Sequence, residues 1–120
     1  MLFVGLGGAI GAMLRYVLGL VPMKTEFPVM TLIINLIGAL LIGLISGLAM
    51  KNKTSDQLNL FLKTGLCGGF TTFSTFSLET FSLIENGKYF LAGIYMSLSV
   101  GLCLLGIFAG MKVAGIFADI

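Results

Sequence analysis

Four long apolar stretches, separated by short polar segments, limit this chain to a membrane fold. They cover residues 2–21, 30–50, 60–84 and 89–111. Each reaches the ~20 residues that a helix needs to cross the hydrocarbon core of a bilayer. Only 10% of the 120 residues are charged, which is too little polar surface for a soluble domain of this size. We therefore predict an all-α protein, multi-pass in the lipid bilayer of the cell membrane, with one four-helix transmembrane domain over residues 1–120.

Titratable residues are too few for most enzymes. The sequence has no His, and Glu79 is the single carboxylate inside an apolar stretch. General acid–base catalysis and metal-dependent hydrolysis need His, paired carboxylates or a ligand cluster, so we predict that the chain is not an enzyme. The net charge of +2 is too small to indicate nucleic-acid binding. Cys67 and Cys103 both lie in apolar stretches, which favours packing roles over a disulfide or a metal site.

The lysines do not specify one orientation in the membrane. With the N-terminus inside, Lys51, Lys53 and Lys112 would be cytoplasmic. Lys24 and Lys88 would then lie outside, and this bias is weak under the positive-inside rule. A chain with so little preference could insert in both orientations, which makes an antiparallel pair possible.

Small residues recur at four-residue spacing in three of the stretches. In lipid, helices associate through close backbone approach, which such residues permit. The pattern therefore predicts a tight bundle. Four short helices can hardly enclose a polar pathway alone, so we also predict an oligomer, most simply a two-fold dimer. The spaced residues are Gly7 and Gly11, then Ala39, Gly43 and Gly47, then Gly106 and Gly110.

Polar residues inside the spans are few, and each is a candidate for a functional site. Thr31 and Asn35 share one face of span two, because they are four residues apart. Tyr95, Ser99 and Cys103 form a similar row on span four. Hydroxyls can instead bond back to their own helix. Asn35 cannot satisfy its whole amide in that way, which favours a functional or inter-helix bond. Arg15 lies near the end of span one, where its side chain can snorkel to the interface.

Glycines and hydroxyls interrupt span three. Residues 64–79 read TGLCGGFTTFSTFSLE, and irregular backbone at membrane depth is tolerated only inside protein or beside a wet cavity. If the first half of this span ends near Gly68, its last carbonyls lose their helical partners and favour a cation. Neutral carbonyl oxygens suit a monovalent ion such as Na⁺ better than Ca²⁺ or Mg²⁺. A plain helix kink containing water is the alternative.

Phe73 and Phe76 are three residues apart and share one helical face. The edge of an aromatic ring is electropositive, so an edge turned toward a pathway attracts an anion weakly. Weak, repeated binding is what conduction requires. Together with the donors of Asn35 and the hydroxyls, the two rings indicate an anion pathway, and simple packing is the alternative reading of their spacing.

The chain resembles the small, four-span fluoride channels of the Fluc type over essentially its whole length. Three segments carry the resemblance: residues 11–16 (GAMLRY), residues 31–38 (TLIINLIG) and, above all, residues 65–77 (GLCGGFTTFSTFS). One departure is Cys103, which stands where the polar row of span four is expected to carry Ser. A thiol is a poorer donor than a hydroxyl.

The resemblance implies an antiparallel, dual-topology dimer with two fluoride pathways. The partner would be a second identical chain or an oppositely oriented paralogue. Such a channel exports cytoplasmic fluoride by passive permeation and protects the cell from fluoride toxicity. Span three would break at mid-membrane, and backbone carbonyls of Gly68 and Thr71 would hold a central structural Na⁺ as cofactor. Arg15 would lie at the interface or in a vestibule. By motif position, the pathway residues would be Asn35, Phe73, Phe76, Thr31, Ser74, Thr75, Ser77, Glu79, Tyr95 and Ser99.

Two other classes of protein fit the span count. A small multidrug exporter also has four spans, but proton coupling needs an exposed carboxylate facing the substrate, and span one offers none. A non-conducting assembly subunit is a further possibility. The row of donors argues against it, because buried polar groups in lipid are costly without a use.

Overall fold

The computed structural model describes residues 1–22, 27–51 and 54–118. Lys24 and Lys53, which entered the orientation argument, lie outside the described residues. The regular structure within the described ranges is entirely helical. We number its elements α1 (Leu2–Gly19), α2 (Val29–Met50), α3 (the consecutive segments Asp56–Asn59, Leu60–Cys67 and Gly68–Phe70), α4 (Phe73–Glu85) and α5 (Tyr89–Ala118).

Helices α1, α2 and α5 are each long and apolar enough to cross a membrane. This confirms the prediction of an all-helical, multi-pass membrane protein. Helix α5 has 30 residues and is therefore about 45 Å long at 1.5 Å per residue, so it continues beyond the predicted end at residue 111. The third apolar stretch is shared between α3 and α4, neither of which is long enough to cross on its own.

Local sequence signals explain where α3 starts and where α4 ends. The Ser55 hydroxyl caps α3 by accepting from the Leu58 N–H at 3.1 Å, as expected of an N-cap residue. At the end of α4, Gly87 has a φ of +76°. The Lys88 N–H donates to the Leu83 carbonyl at 2.8 Å, and the Gly87 N–H to the Ile84 carbonyl at 3.0 Å. These two bonds form a Schellman motif, which needs a residue with positive φ at Gly87. The resulting turn sends α5 back along α4.

The helices pack mainly as two pairs, α2 with α5 and α1 with α3. Buried glycines allow both contacts. A Cβ atom on Gly43 would overlap the backbone of Ile107, and one on Gly110 would overlap that of Leu40. A Cβ on Gly11 would likewise overlap the carbonyl of Leu66. The predicted tight bundle of small-residue faces is therefore confirmed within the chain.

The glycines of span three pack against α1 and remain helical. A Cβ on Gly69 would overlap the Gly8 carbonyl, and one on Gly65 would lie 2.8 Å from the Val4 carbonyl. Gly68 has φ −62° and ψ −39°. Helix α3 thus continues two residues past Gly68 and ends at Phe70. Its central segment, Leu60–Cys67, is a π-helix, a conformation that is rare and concentrated at functional sites.

We expect Gly43→Val to destabilise the α2–α5 pair, because the added side chain has no room against Ile107. Overpacking costs about 1–3 kcal/mol. Gly101→Val is the matched control on α5, since a Cβ on Gly101 meets nothing within 4 Å. Thermal unfolding of the two purified variants in detergent measures the difference. Equal unfolding temperatures would contradict the packing assigned to Gly43.

Candidate functional site

The helical backbone is interrupted at Thr71 and Thr72, between α3 and α4. Thr71 has φ −81° and ψ 158°, and Thr72 has φ −148° and ψ 122°, so both residues are extended. Asn35 of α2 compensates for the lost helical bonds. Its Oδ1 accepts from the Thr72 N–H at 2.9 Å, and its Nδ2 donates to the Thr72 carbonyl at 3.3 Å. One amide side chain thus serves both polar groups of one backbone residue.

Hydroxyls on either side of the interruption end one helix and start the next. The Thr71 hydroxyl donates to the Cys67 carbonyl at 2.9 Å, in the last turn of α3. The Thr72 hydroxyl accepts from the Thr75 N–H at 3.1 Å and so caps α4. Thr71 also packs its Cγ2 against Gly38 of α2. These contacts fix the direction in which α4 starts.

Carbonyl groups at the C-terminal end of α3 have different hydrogen-bond donors near them from those of a regular helix. The Thr72 N–H would continue the helix by donating to the Gly68 carbonyl, but it donates to Asn35 instead. The Gly69 carbonyl accepts from the Arg15 Nε at 3.2 Å. Arg15 is half-buried, so its guanidinium places positive charge at the negative end of α3. The Arg15 side chain therefore binds the end of α3 and does not simply extend to the membrane interface.

Three aromatic rings lie next to one another between α4 and α5. The ring centroids of Phe73 and Phe76 are 5.8 Å apart, and those of Phe76 and Tyr95 are 5.0 Å apart. Tyr95 is fully buried, whereas Phe73 is 78% exposed. Phe27 packs edge-on against Tyr95 at 5.5 Å. The rings thus extend from the buried core to the open face of α4.

Glu79, Tyr95 and Thr31 form a polar cluster beside these rings. The Tyr95 hydroxyl donates to Glu79 Oε1 at 3.1 Å, and Thr31 is buried at 7% exposure. Thr31 and Glu79 line a cavity of about 590 Å³. Its rim includes Pro28 and Asn86, which lie at the ends of α2 and α4, so this cavity opens at one end of the bundle.

A second concave surface, which we call the groove, lies beside the interruption and has a volume of about 320 Å³. Ser99 belongs to its wall and is 6% exposed, and its Oγ has no hydrogen-bond partner among the described residues. No charged side chain contributes to the described lining. The groove is lined by Asn35, Ala39, Ile42, Thr71, Thr72, Phe73, Phe76, Ser99, Val100, Cys103 and Ile107.

The fold brings most of the sequence-predicted pathway residues together, in two neighbouring sets. Asn35, Phe73, Phe76 and Ser99 lie at the groove, and Thr31 and Glu79 lie at the end cavity with Tyr95 beside them. Three remaining residues contribute to neither concavity. Ser74 and Ser77 lie on the exposed side of α4, and Thr75 is half-buried near the cap.

The described residues contain no group of three or more His, Cys, Asp and Glu side chains that could hold a metal ion. Any cation bound near the interruption would therefore rely on neutral oxygens. The Gly68 and Thr71 carbonyls fit that role, because they lie at the end of α3, where the regular helical donors run out.

The fold and site define a helical, multi-pass membrane protein with an uncharged groove, in which an amide and hydroxyls interrupt a mostly apolar lining. The chain belongs to the family described as CrcB-like protein, Camphor Resistance (CrcB), which matches residues 2–111. This confirms the resemblance found in the sequence.

Three relatives are each named fluoride-specific ion channel FluC. That of Ruminiclostridium cellulolyticum is 45% identical over 120 residues, which cover 97% of this chain and 92% of the relative. That of Flavobacterium psychrophilum is 45% identical over 116 residues, with 93% and 94% covered. That of Methanococcus maripaludis is 41% identical over 117 residues, with 97% and 95% covered. The relatives are ion channels, which confirms that the chain is not an enzyme.

We expect Asn35→Leu to destabilise the fold, because both polar groups of Thr72 lose their partner. A buried polar group left unsatisfied costs about 1–3 kcal/mol. Gln57→Leu is the control, since Gln57 is exposed on α3. Thermal unfolding in detergent should show a lower midpoint for Asn35→Leu only. A midpoint equal to that of the wild type would mean that Asn35 does not hold the interruption.

Proposed function

We propose that the chain is a fluoride channel through which cytoplasmic fluoride leaves the cell passively, which protects the cell from its toxicity. The observation that carries this proposal is the chemistry of the groove. Its described lining holds an amide, hydroxyls and two phenylalanine rings, and no charge. The relatives, which are named fluoride-specific ion channels, match nearly the whole chain.

A neutral lining suits a small, strongly hydrated anion. Several donors must replace its water at once, and a fixed cation would bind it too tightly to release it. Asn35 uses one Nδ2 hydrogen on Thr72 and keeps a second. Ser99 has an unpartnered hydroxyl, and the ring edges of Phe73 and Phe76 add weakly electropositive surface. Together these groups can solvate an anion without trapping it.

Glu79 is compatible with an anion pathway because it already has a partner. Its Oε1 accepts from the Tyr95 hydroxyl, so the carboxylate is turned toward a buried phenol. We assign Thr31, Glu79 and Tyr95 to the continuation of the pathway through the end cavity. The same hydrogen bond weighs against a proton-coupled multidrug exporter, which needs a carboxylate free to meet its substrate.

A second chain completes the pathway in this proposal. The groove is open on one side, and the face of α4 beside it is exposed. Phe73 is 78% exposed, Leu78 65% and Phe81 57%. Ser74 and Ser77 lie among them, and hydroxyls facing hydrocarbon without partners are costly. An antiparallel second copy, or an oppositely oriented paralogue, would cover these residues and supply two pathways related by the two-fold axis.

The same two-fold contact is where we place the structural Na⁺. The interruption of span three would lie at mid-membrane, with the Gly68 and Thr71 carbonyls of both chains around the ion. Each chain provides only two such oxygens, so the site needs both copies. Arg15 already occupies the Gly69 carbonyl, which restricts the cation to the neighbouring carbonyls. The ion would hold the two helix ends together and would take no part in conduction.

Purified protein reconstituted in liposomes tests the function and the ion together. We expect vesicles loaded with fluoride to release it to a fluoride electrode, and vesicles loaded with chloride to retain chloride. Protein purified with Na⁺ replaced by a large organic cation should lose this efflux. Vesicles that retain fluoride but leak an organic cation would refute the channel. Equal efflux without Na⁺ would refute the ion site alone.

Phe76→Ala should abolish fluoride efflux, because the groove loses the ring that lies between Phe73 and Tyr95. Phe90→Ala is the matched control, since Phe90 is 80% exposed at the start of α5. Size-exclusion chromatography in detergent should give the same elution for both variants and the wild type. Unchanged efflux from Phe76→Ala would show that the Phe76 ring serves packing and not conduction.

A further inference from the structure

The two cysteines differ in their access to reagents. Cys67 is 0% exposed and lies inside α3. Cys103 is half-buried and belongs to the wall of the groove, together with Asn35 and Phe76. A partly exposed thiol is accessible to reagents, whereas fully buried thiols are inert. Of the two, Cys103 is therefore the thiol that a reagent in the groove can reach.

Ser99 indicates that the groove takes a polar occupant next to Cys103. It lies one helical turn before Cys103 on the same face of α5. Ser99 is 6% exposed, and its Oγ is without a partner among the described residues. A buried hydroxyl left in this state is costly unless water or an ion visits it. Water that reaches Ser99 also reaches Cys103, and it can accept the proton that a thiol must lose before it reacts.

We propose that Cys103 is a modification site for small, neutral sulfur electrophiles, and that the adduct obstructs the groove. This inference rests on the proposed function, because the obstruction is measured as lost fluoride efflux. With methyl methanethiosulfonate, the Cys103 thiolate attacks the methylthio sulfur. A Cys103–S–S–CH₃ disulfide forms, the sulfur–sulfur bond of the reagent breaks, and methanesulfinate leaves with the electron pair. The thiol proton goes to water. The added methylthio group then lies between Ser99 and Phe76.

The test uses wild-type, Cys103→Ser and Cys67→Ala proteins in fluoride-loaded liposomes, treated with methyl methanethiosulfonate. Efflux and the intact mass of the protein are measured on the same samples. We expect one adduct and loss of most efflux in the wild type and in Cys67→Ala. Cys103→Ser should carry no adduct, and its efflux after treatment should equal its own rate before treatment. A thiol reductant should remove the adduct and restore the rate.

Other outcomes overturn the inference in distinguishable ways. A wild-type protein without an adduct shows that Cys103 is not reachable. An adduct on Cys103 with unchanged efflux shows that this part of α5 does not line the conducting path. Efflux that falls equally in Cys103→Ser shows that the reagent acts elsewhere. Vesicles that hold their fluoride before any reagent is added refute the proposed function, while the mass measurement still decides whether Cys103 reacts.

Discussion

The exchange of two hydrogen bonds between Asn35 and Thr72 is the interaction on which this structure depends. A backbone that leaves the helical conformation must find new partners for its polar groups, because unpaired buried N–H and C=O groups are costly. Asn35 supplies both partners from one side chain on α2. The extended pair Thr71–Thr72 can then redirect the chain, and the Thr72 hydroxyl starts α4 in its new direction. Without these two hydrogen bonds, we expect one continuous helix over residues 56–85 to have the lower free energy. Phe73 and Phe76 would then not line the groove as they do.

The same interaction joins the two halves of the bundle. Helices α1 and α3 form one tightly packed pair and α2 and α5 the other, each through glycine contacts that let the backbones touch. Contacts between the pairs are sparser. Asn35 links them from α2 to the interruption, and Gly38, one turn further along, receives Thr71. The groove lies beside the interruption, between α2, α4 and α5. It thus results from the interruption between α3 and α4, where the chain leaves the α1–α3 pair and α4 packs against α5.

Much of this arrangement follows from the sequence, and the failures have identifiable causes. Hydropathy located the spans, and the four-residue spacing of small residues located the packing faces, because both signals are local patterns along the chain. Helix α3 ends two residues beyond Gly68, at Phe70. Glycine costs a helix about 1 kcal/mol relative to Ala, but Gly65 and Gly69 pack closely against the backbone of α1 and stay helical, and the extended residues are Thr71 and Thr72. The contact of Arg15 with Gly69 spans 54 positions, and the π-helical segment carries no local signal. The Thr72 cap, in contrast, could have been read from the local sequence, because its hydroxyl lies three residues before the Thr75 N–H from which it accepts.

Hydrogen bonds also determine where the charged side chains lie. Each ionisable side chain near the interruption is already engaged: Arg15 at the end of α3 and Glu79 at the Tyr95 hydroxyl. The groove between them is left to neutral dipoles. In a low-dielectric site a fixed positive charge would hold an anion by several kcal/mol more than a neutral donor does, so such a charge would slow its departure. Arg15 keeps its charge but does not line the groove; its Nε is held against the Gly69 carbonyl, where it stabilises a helix end. The end of α3 and the uncharged lining of the groove are therefore two results of one arrangement of hydrogen bonds.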